Sequence, residues 1–124
     1  MTDLCKRLKN VNEAGVYRLN CPLDDLRASA EDCDFVLFEA RLADAHGKGE
    51  VLAELARAIA APDWFGHNWD ALADALGDLS WKKSPGYVLV LHGEVGGEEI
   101  LNEILEATVS FWKLQGKAFW VFFT

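Results

Sequence analysis

Three runs of apolar residues limit what this chain can become. Phe35 to Phe38 sits within DFVLFEARL, Tyr87 to Leu91 within GYVLVLHG, and Ala118 to Phe123 reads AFWVFF. None alternates apolar with polar residues, as a strand with one wet face would. Continuous runs of this length fit strands covered on both faces, the habit of parallel sheets. The stretches between them have helical period. KGEVLAELARAIAA (48–61) puts Val51, Leu52, Leu55 and Ile59 on one stripe and stops at Pro62. EEILNEILEATVSFWKLQ (98–115) does the same with Leu101, Ile104, Leu105, Phe111 and Trp112, and Gly116 ends it. A shorter strand, GVYRL (15–19), and a helix opened by Pro22 come earlier. Strand and helix therefore alternate. The expected fold class is α/β: a mostly parallel sheet of three to four strands, packed with helices in two or three layers and joined by right-handed crossovers.

At 124 residues the expectation is one domain, large enough to bury its own core. The net charge of −8 opposes binding to nucleic acid or to an anionic membrane, and favours a basic partner. No stretch approaches eighteen apolar residues, so no membrane span is expected. The first twenty residues carry Lys6, Arg7 and Lys9 with no apolar segment after them, which does not read as a secretory signal. Cys5, Cys21 and Cys33 are odd in number and form no CxxC. They are expected as free thiols in a reducing compartment, and the cytoplasm is the expected location.

The charge is unevenly placed. Between Ala58 and Trp112, nine carboxylates face only Lys82 and Lys83, so seven of the eight net negative charges lie in that stretch. Its centre is PDWFGHNWDALADALGDL (62–79). A helix from about Asn68 to Leu79 puts Trp69, Leu72, Leu76 and Leu79 on one apolar stripe. Asp70, Asp74 and Asp78, at i, i+4 and i+8, share the other side. Asp70 lies in the first turn, where the helix dipole favours an anion; Asp78 lies near the end that disfavours one. Like charges at this spacing cost roughly 0.2–0.5 kcal/mol per pair. A sequence selected only for folding would place a lysine or arginine among them, although an acidic face that is merely solvated is the commoner case. Before the helix, Trp64 and Phe65 form an aromatic loop, as core plugs or as contacts. Gly66 permits a positive φ or close approach of a partner backbone, and Asn68 is a helix N-cap.

At these residues the sequence resembles the barstar family, intracellular protein inhibitors of secreted ribonucleases. The pattern is carried by Pro62, Asp63, Trp64, Phe65, Gly66, His67, Asn68, Trp69, Asp70, Ala71, Leu72 and Asp74 without a gap. The resemblance covers roughly residues 35–124, the core of the domain; residues 1–34 form an N-terminal extension expected to add an edge strand and a helix. It implies a barstar-like α/β fold and a stoichiometric inhibitor that seats an acidic helix and its preceding loop in a basic ribonuclease active site. Carried over by position, Trp64 packs on the enzyme, Gly66 allows close approach, and Asp70 and Asp74 meet its cations, with Asp74 where a substrate phosphate binds. The implied binding set is Trp64, Phe65, Gly66, His67, Asn68, Asp70, Ala73, Asp74 and Gly77. Ala73 and Gly77 stand where the best-known member has tryptophan and threonine, and Phe111 falls where its long helix has an acid. Tight inhibition of the best-known family nuclease is therefore not expected. The implied partner is a basic secreted ribonuclease or ribonuclease toxin, and the free chain is expected to be a monomer.

Two other classes of function compete with this one. His46, His67 and His92 have no metal-ligand spacing, no nucleophile motif accompanies them, and the glycines at 93–97 are surrounded by Glu94, Glu98 and Glu99, which would repel a phosphate. No catalytic residue, metal site or cofactor is expected. The alternative to nuclease inhibition is a regulatory protein of the same fold that binds another basic protein.

Overall fold

Every strand pairing is parallel, so no two strands can be joined by a hairpin. The structure is a computed structural model that describes residues 3–63, 66–93 and 99–124. In chain order it contains α1 (Asp3–Leu8), β1 (Val16–Arg18), α2 (Leu23–Asp32), β2 (Val36–Arg41), α3 (Gly47–Ala58), α4 (Trp69–Leu76), β3 (Gly86–His92), α5 (Glu99–Leu114) and β4 (Ala118–Phe123). Single 3-10 turns occur at Val11–Glu13 and Ser80–Lys82. The sheet order is β1-β4-β3-β2. Leu89 sits opposite Phe38 on one side and Val121 on the other.

Handedness then assigns the layers. The connections β2 to β3 and β3 to β4 both step the same way across the sheet, whereas β1 to β2 steps back. Right-handed crossovers put α3, α4 and α5 on one face and α2 on the other. Burial agrees. Phe38, Leu52, Leu55, Leu72, Leu76 and Leu105 pack on one face with Tyr87, Leu89 and Phe119. Cys5, Leu8, Leu26 and Ala30 pack on the other with Val88, Val90 and Trp120. The fold is thus α/β with three layers, at the upper end of the sequence expectation. Residues 3–33 are built into it: β1 extends the sheet along β4, and the Trp120 indole N–H donates to the Leu8 carbonyl at 2.9 Å.

One sequence expectation needs correction. Cys5 and Cys33 are not free thiols. They form a disulfide across a Cα–Cα distance of 5.8 Å, and only Cys21 is free. Spacing along the chain could not show this, because the pairing depends on α1 packing against the end of α2. The thiol argument for a reducing compartment loses two of its three cysteines. Strand β2, whose two faces pack on the two cores, is an edge strand of the sheet. Val36 and Leu37 are only partly buried and Arg41 is exposed. Its outer peptide groups are closed off by α3: Glu54 accepts from the Arg41 N–H at 2.6 Å, and Arg57 donates to the Glu39 carbonyl at 3.1 Å. A charged pair over an open edge blocks pairing with a foreign strand.

Helices α2, α3 and α5 each end in a Schellman motif, with Asp34, Ala60 and Gly116 at positive φ. The closing bonds are Phe35 N–H to the Ala30 carbonyl at 2.8 Å, Ala61 to Ala56 at 2.9 Å, and Lys117 to Trp112 at 2.9 Å. Glycine suits this position and aspartate tolerates it, but alanine does not. Close approach explains a different glycine. A Cβ on Gly86 would enter the Phe35 ring, so glycine at the start of β3 lets that ring lie across the strand.

At the C-terminal ends of the strands, Glu39 accepts both Arg27 Nε at 2.9 Å and Arg27 Nη2 at 2.7 Å. It also meets His92 Nε2 at 2.9 Å, while His92 Nδ1 lies 3.0 Å from Thr124 Oγ1. A carboxylate can only accept, so Nε2 donates its proton to Glu39, and the threonine hydroxyl, able to donate or accept, completes the ring's second contact. The Arg27 guanidinium first, and then His92, hold the Glu39 carboxyl down at about 2, against the opposing effect of burial.

Two outcomes are expected. Ala60→Gly relieves the left-handed backbone and should raise the unfolding free energy by about 0.5–1 kcal/mol after the entropy cost of glycine, measured by urea denaturation. Because the Glu39 pKa is depressed on folding, its contribution is complete above the ordinary glutamate value of 4.5 and fades as pH falls toward about 2. Glu39→Gln should therefore flatten the loss of stability between those pH values, in parallel denaturation series. An unchanged slope would mean that the Arg27 pairing does not operate in solution.

Candidate functional site

The acidic helix begins where the sequence places its cap. Asn68 is extended, and its Oδ1 accepts from the Ala71 N–H at 2.8 Å. Gly66 has a local steric role besides the two the sequence offers. A Cβ there would lie 3.2 Å from Asn68 Nδ2, so glycine leaves room for the cap amide. Leu72, Ala75 and Leu76 are fully buried, and Trp69 is partly buried against the same core. At the far end, Trp112 of α5 donates its indole N–H to the Leu76 carbonyl at 2.8 Å. Trp81, whose packing the sequence left open, is partly buried against the core and donates to the Ile59 carbonyl at 2.8 Å. An eight-residue helix is thus fixed at its start by a cap and at its end by a neighbouring tryptophan.

With its apolar side committed to the sheet, α4 must turn Asp70 and Asp74 outward, and both are exposed. Among the described residues neither has an ion pair or a side-chain hydrogen bond. Fully burying two leucines is worth about 3–6 kcal/mol, which easily outweighs roughly 0.2–0.5 kcal/mol of repulsion between the two carboxylates. The helix therefore forms in spite of its charge pattern. It is shorter than expected: Gly77 is the C-cap, so Asp78 lies beyond the helix and accepts from the Ser80 hydroxyl at 3.3 Å. The described salt bridges Arg7–Glu13, Arg27–Asp24, Arg27–Glu39, Arg57–Glu54 and His92–Glu39 all lie away from this face.

Beside Asp74, α4 and α5 leave a groove of about 320 Å³. On the α4 side it is lined by Ala73, Asp74 and Gly77; on the α5 side by Ile104, Ala107 and Phe111. The small residues set its depth. Phe111 is 42% exposed and stands edge-on to Trp112 at 5.3 Å. A larger recess of about 760 Å³ lies along the β2 edge, but its Arg27, Glu39, Glu54 and Arg57 already neutralise one another, which leaves little for a ligand to complete.

The structure brings Gly66, His67, Asn68, Asp70, Ala73, Asp74 and Gly77 together along one loop and helix. All but Gly77 are exposed, and Gly77 is half-buried. Trp64 and Phe65 lie outside the described residues. What sequence reasoning missed is the α5 wall. Periodicity puts Phe111 on the inner stripe of its helix and only the resemblance puts it where the family has an acid; in the structure it lines the groove, and Ala107 gives no signal of its own. Among the described residues, no helix is long and apolar enough to cross a membrane, and no group of three or more histidines, cysteines, aspartates or glutamates could hold a metal ion.

Fold and site together define a class: a parallel α/β protein whose β2-to-β3 crossover carries an extra helix with an acidic outer face. A family model described as Barstar (barnase inhibitor) matches residues 35–124, well over half of the chain. The chain belongs to the barstar family. No curated protein sequence matches it.

Asn68→Ala removes the only side-chain cap of α4 and should cost about 1 kcal/mol of stability, read from urea unfolding monitored at the tryptophans. Asn68→Asp, which retains the acceptor, should cost much less.

Proposed function

We propose that this chain is a stoichiometric inhibitor of a basic ribonuclease, and that it acts by seating α4 and the loop before it in the enzyme's cationic cleft. The observation that carries this reading is the exposed pair Asp70 and Asp74, with no internal counter-charge among the described residues. Family membership supports the choice of a ribonuclease over other basic partners. Binding rather than turnover follows from the same geometry: carboxylates fixed on a capped helix offer complementary charge to an existing active site.

The physical course is one of steering followed by desolvation. Seven net negative charges concentrated between Ala58 and Trp112 raise the rate of encounter with a basic surface, and salt weakens that attraction. Once docked, each carboxylate loses water and gains cations of the enzyme, so release is slow. Occlusion of the phosphate-binding positions stops RNA cleavage. Trp64, Phe65, Gly66 and His67 extend the contact on the loop side, and Ala73 and Gly77 on the groove side. A monomer presenting this face suffices. A cytoplasmic location accords with the role, since an inhibitor of a secreted nuclease protects the cell that makes it.

The test is titration of purified protein into a panel of basic ribonucleases, with RNA cleavage and complex stoichiometry as readouts. One enzyme should be silenced at one-to-one ratio, with affinity falling as salt rises. Asp70→Ala combined with Asp74→Ala should weaken that complex roughly a hundredfold or more, while circular dichroism stays unchanged. Equal inhibition by the double variant would remove the proposed mechanism. Tight, salt-sensitive binding to a basic protein that is not a nuclease would replace inhibition with regulation.

A further inference from the structure

We infer that the groove between α4 and α5 is a specificity pocket, and that the basic partner fills it with a large apolar side chain placed directly beside its cations. This rests on the proposed docking of the acidic face and adds to it what kind of surface that partner must have.

Three observations carry the inference. First, the groove opens beside Asp74, so whatever neutralises that carboxylate also stands over Ala73 and Gly77. Second, at about 320 Å³ the groove has room for an aromatic or long aliphatic side chain, and its walls offer methyl groups and an aromatic ring rather than hydrogen-bonding side chains. Apart from Asp74, the one polar lining residue is Thr108, whose hydroxyl already donates to the Ile104 carbonyl at 2.8 Å. Third, the apolar surface continues along α5. Ile100, Ile104, Ala107, Phe111 and Leu114 recur at spacings of four and three residues, the spacing of a helix seam that faces a partner. Ile100 is 49% exposed and Leu114 86% exposed.

Charge decides the occupant. Asp74 lines the groove, Glu103 and Glu106 are exposed on α5, and the whole chain carries −8. A second copy would bring the same sign to the same rim, and like charges set opposite one another are repulsive. A basic surface with an apolar residue at its centre matches both features. Arginine or lysine meets Asp70 and Asp74, and the apolar side chain enters between the two helices. The acids then steer the encounter, while the groove selects among basic proteins that charge alone would not separate.

The experiment uses two peptides, Ac-Lys-Arg-Trp-Arg-Lys-amide and its counterpart with glycine at the centre, titrated at low salt into the full ¹⁵N-labelled chain. The tryptophan peptide should bind at least roughly fivefold more tightly, and it should shift the amides of Ala73, Gly77, Ala107 and Phe111, which the glycine peptide leaves in place. Ala107→Leu, at an exposed helical position, should abolish the difference while retaining the response at Asp70 and Asp74. Equal affinities, with shifts confined to Asp70 and Asp74, would overturn the groove inference and leave the acidic docking face standing. Groove shifts that persist in an Asp70→Asn, Asp74→Asn double variant would uphold the pocket and remove the charge-led reading. Absence of binding by either peptide would overturn both.

Discussion

The constraint on which the rest depends is the parallel pairing of β3 and β4 at the middle of the sheet. Parallel neighbours cannot be joined by a tight turn, so each connection must climb over a face and bring a helix with it. Val88, Leu89, Val90, Phe119 and Val121 are almost completely removed from water, which requires cover on both faces. The strand order then fixes which helices supply it. Because β2, β3 and β4 follow one another across the sheet, their crossovers crowd onto a single face, and the longest of them carries two helices instead of one. The second, α4, is not needed to connect the strands. Its place beside α5 gives the molecule its exposed acidic edge.

Charge is divided between two uses. On the α2 and α3 sides, arginines are matched to carboxylates: Arg27 holds Glu39 and Asp24, and Arg57 holds Glu54, where they brace helices against β2 and close its open edge. On α4, carboxylates stand without partners among the described residues. The same chemical groups therefore serve cohesion on one side and, on the proposed reading, recognition on the other. Mixing the two would weaken both, since a lysine near Asp74 would neutralise the field that a basic partner is proposed to meet. The N-terminal residues belong to the cohesive side; α1, β1 and α2 complete the second core and the sheet edge, well separated in the fold from the acidic helix.

Much of this was legible in the chain. Fully buried parallel strands are nearly pure apolar runs, so 87–91 and 118–123 announced themselves, and the wheel of 69–76 separated Leu72 and Leu76 from Asp70 and Asp74 because each side of that helix has a single kind of neighbour. What escaped reading depended on contacts between distant segments. The Cys5–Cys33 disulfide exists because α1 lies against the end of α2, which no spacing reveals. The edge position of β2 follows from sheet order; its apolar start, Phe35 to Phe38, speaks only of covered faces and not of place in the sheet. Gly66 reads from the chain as room for a positive φ or for a partner's backbone, and the tertiary structure adds clearance for a cap. The groove is the clearest case. Ala73 and Gly77 enter the reading only through the resemblance, Ala107 not at all, and they define a cavity only when two helices meet. Asp78 reads as helical because periodicity runs on past Gly77, whereas the helix closes at its Gly77 C-cap and the Asp78 and Leu79 N–H groups both turn back to the Ala75 carbonyl at 3.1 Å.

The recognition surface proposed for α4, one eight-residue helix, poses a thermodynamic problem, since an isolated helix of that length is not stable in water. If α4 had to order on binding, each residue would cost about 1–2 kcal/mol of backbone entropy at the moment of docking. The fold removes that cost in advance. Asn68 closes the first turn, Trp112 holds the Leu76 carbonyl at the last, and Leu72 and Leu76 anchor the middle in the main core. Asp70 and Asp74 are consequently held on a helix already fixed in place. On the proposed reading, the repulsion between them is settled during folding, at the expense of a core that can absorb it. The partner then gains their full attraction without ordering anything. On that reading the features that matter to affinity include residues that touch no partner: the cap, the tryptophan bolt and the buried leucines keep the charges in place, and the proposed discrimination by the groove depends on both of its walls being fixed.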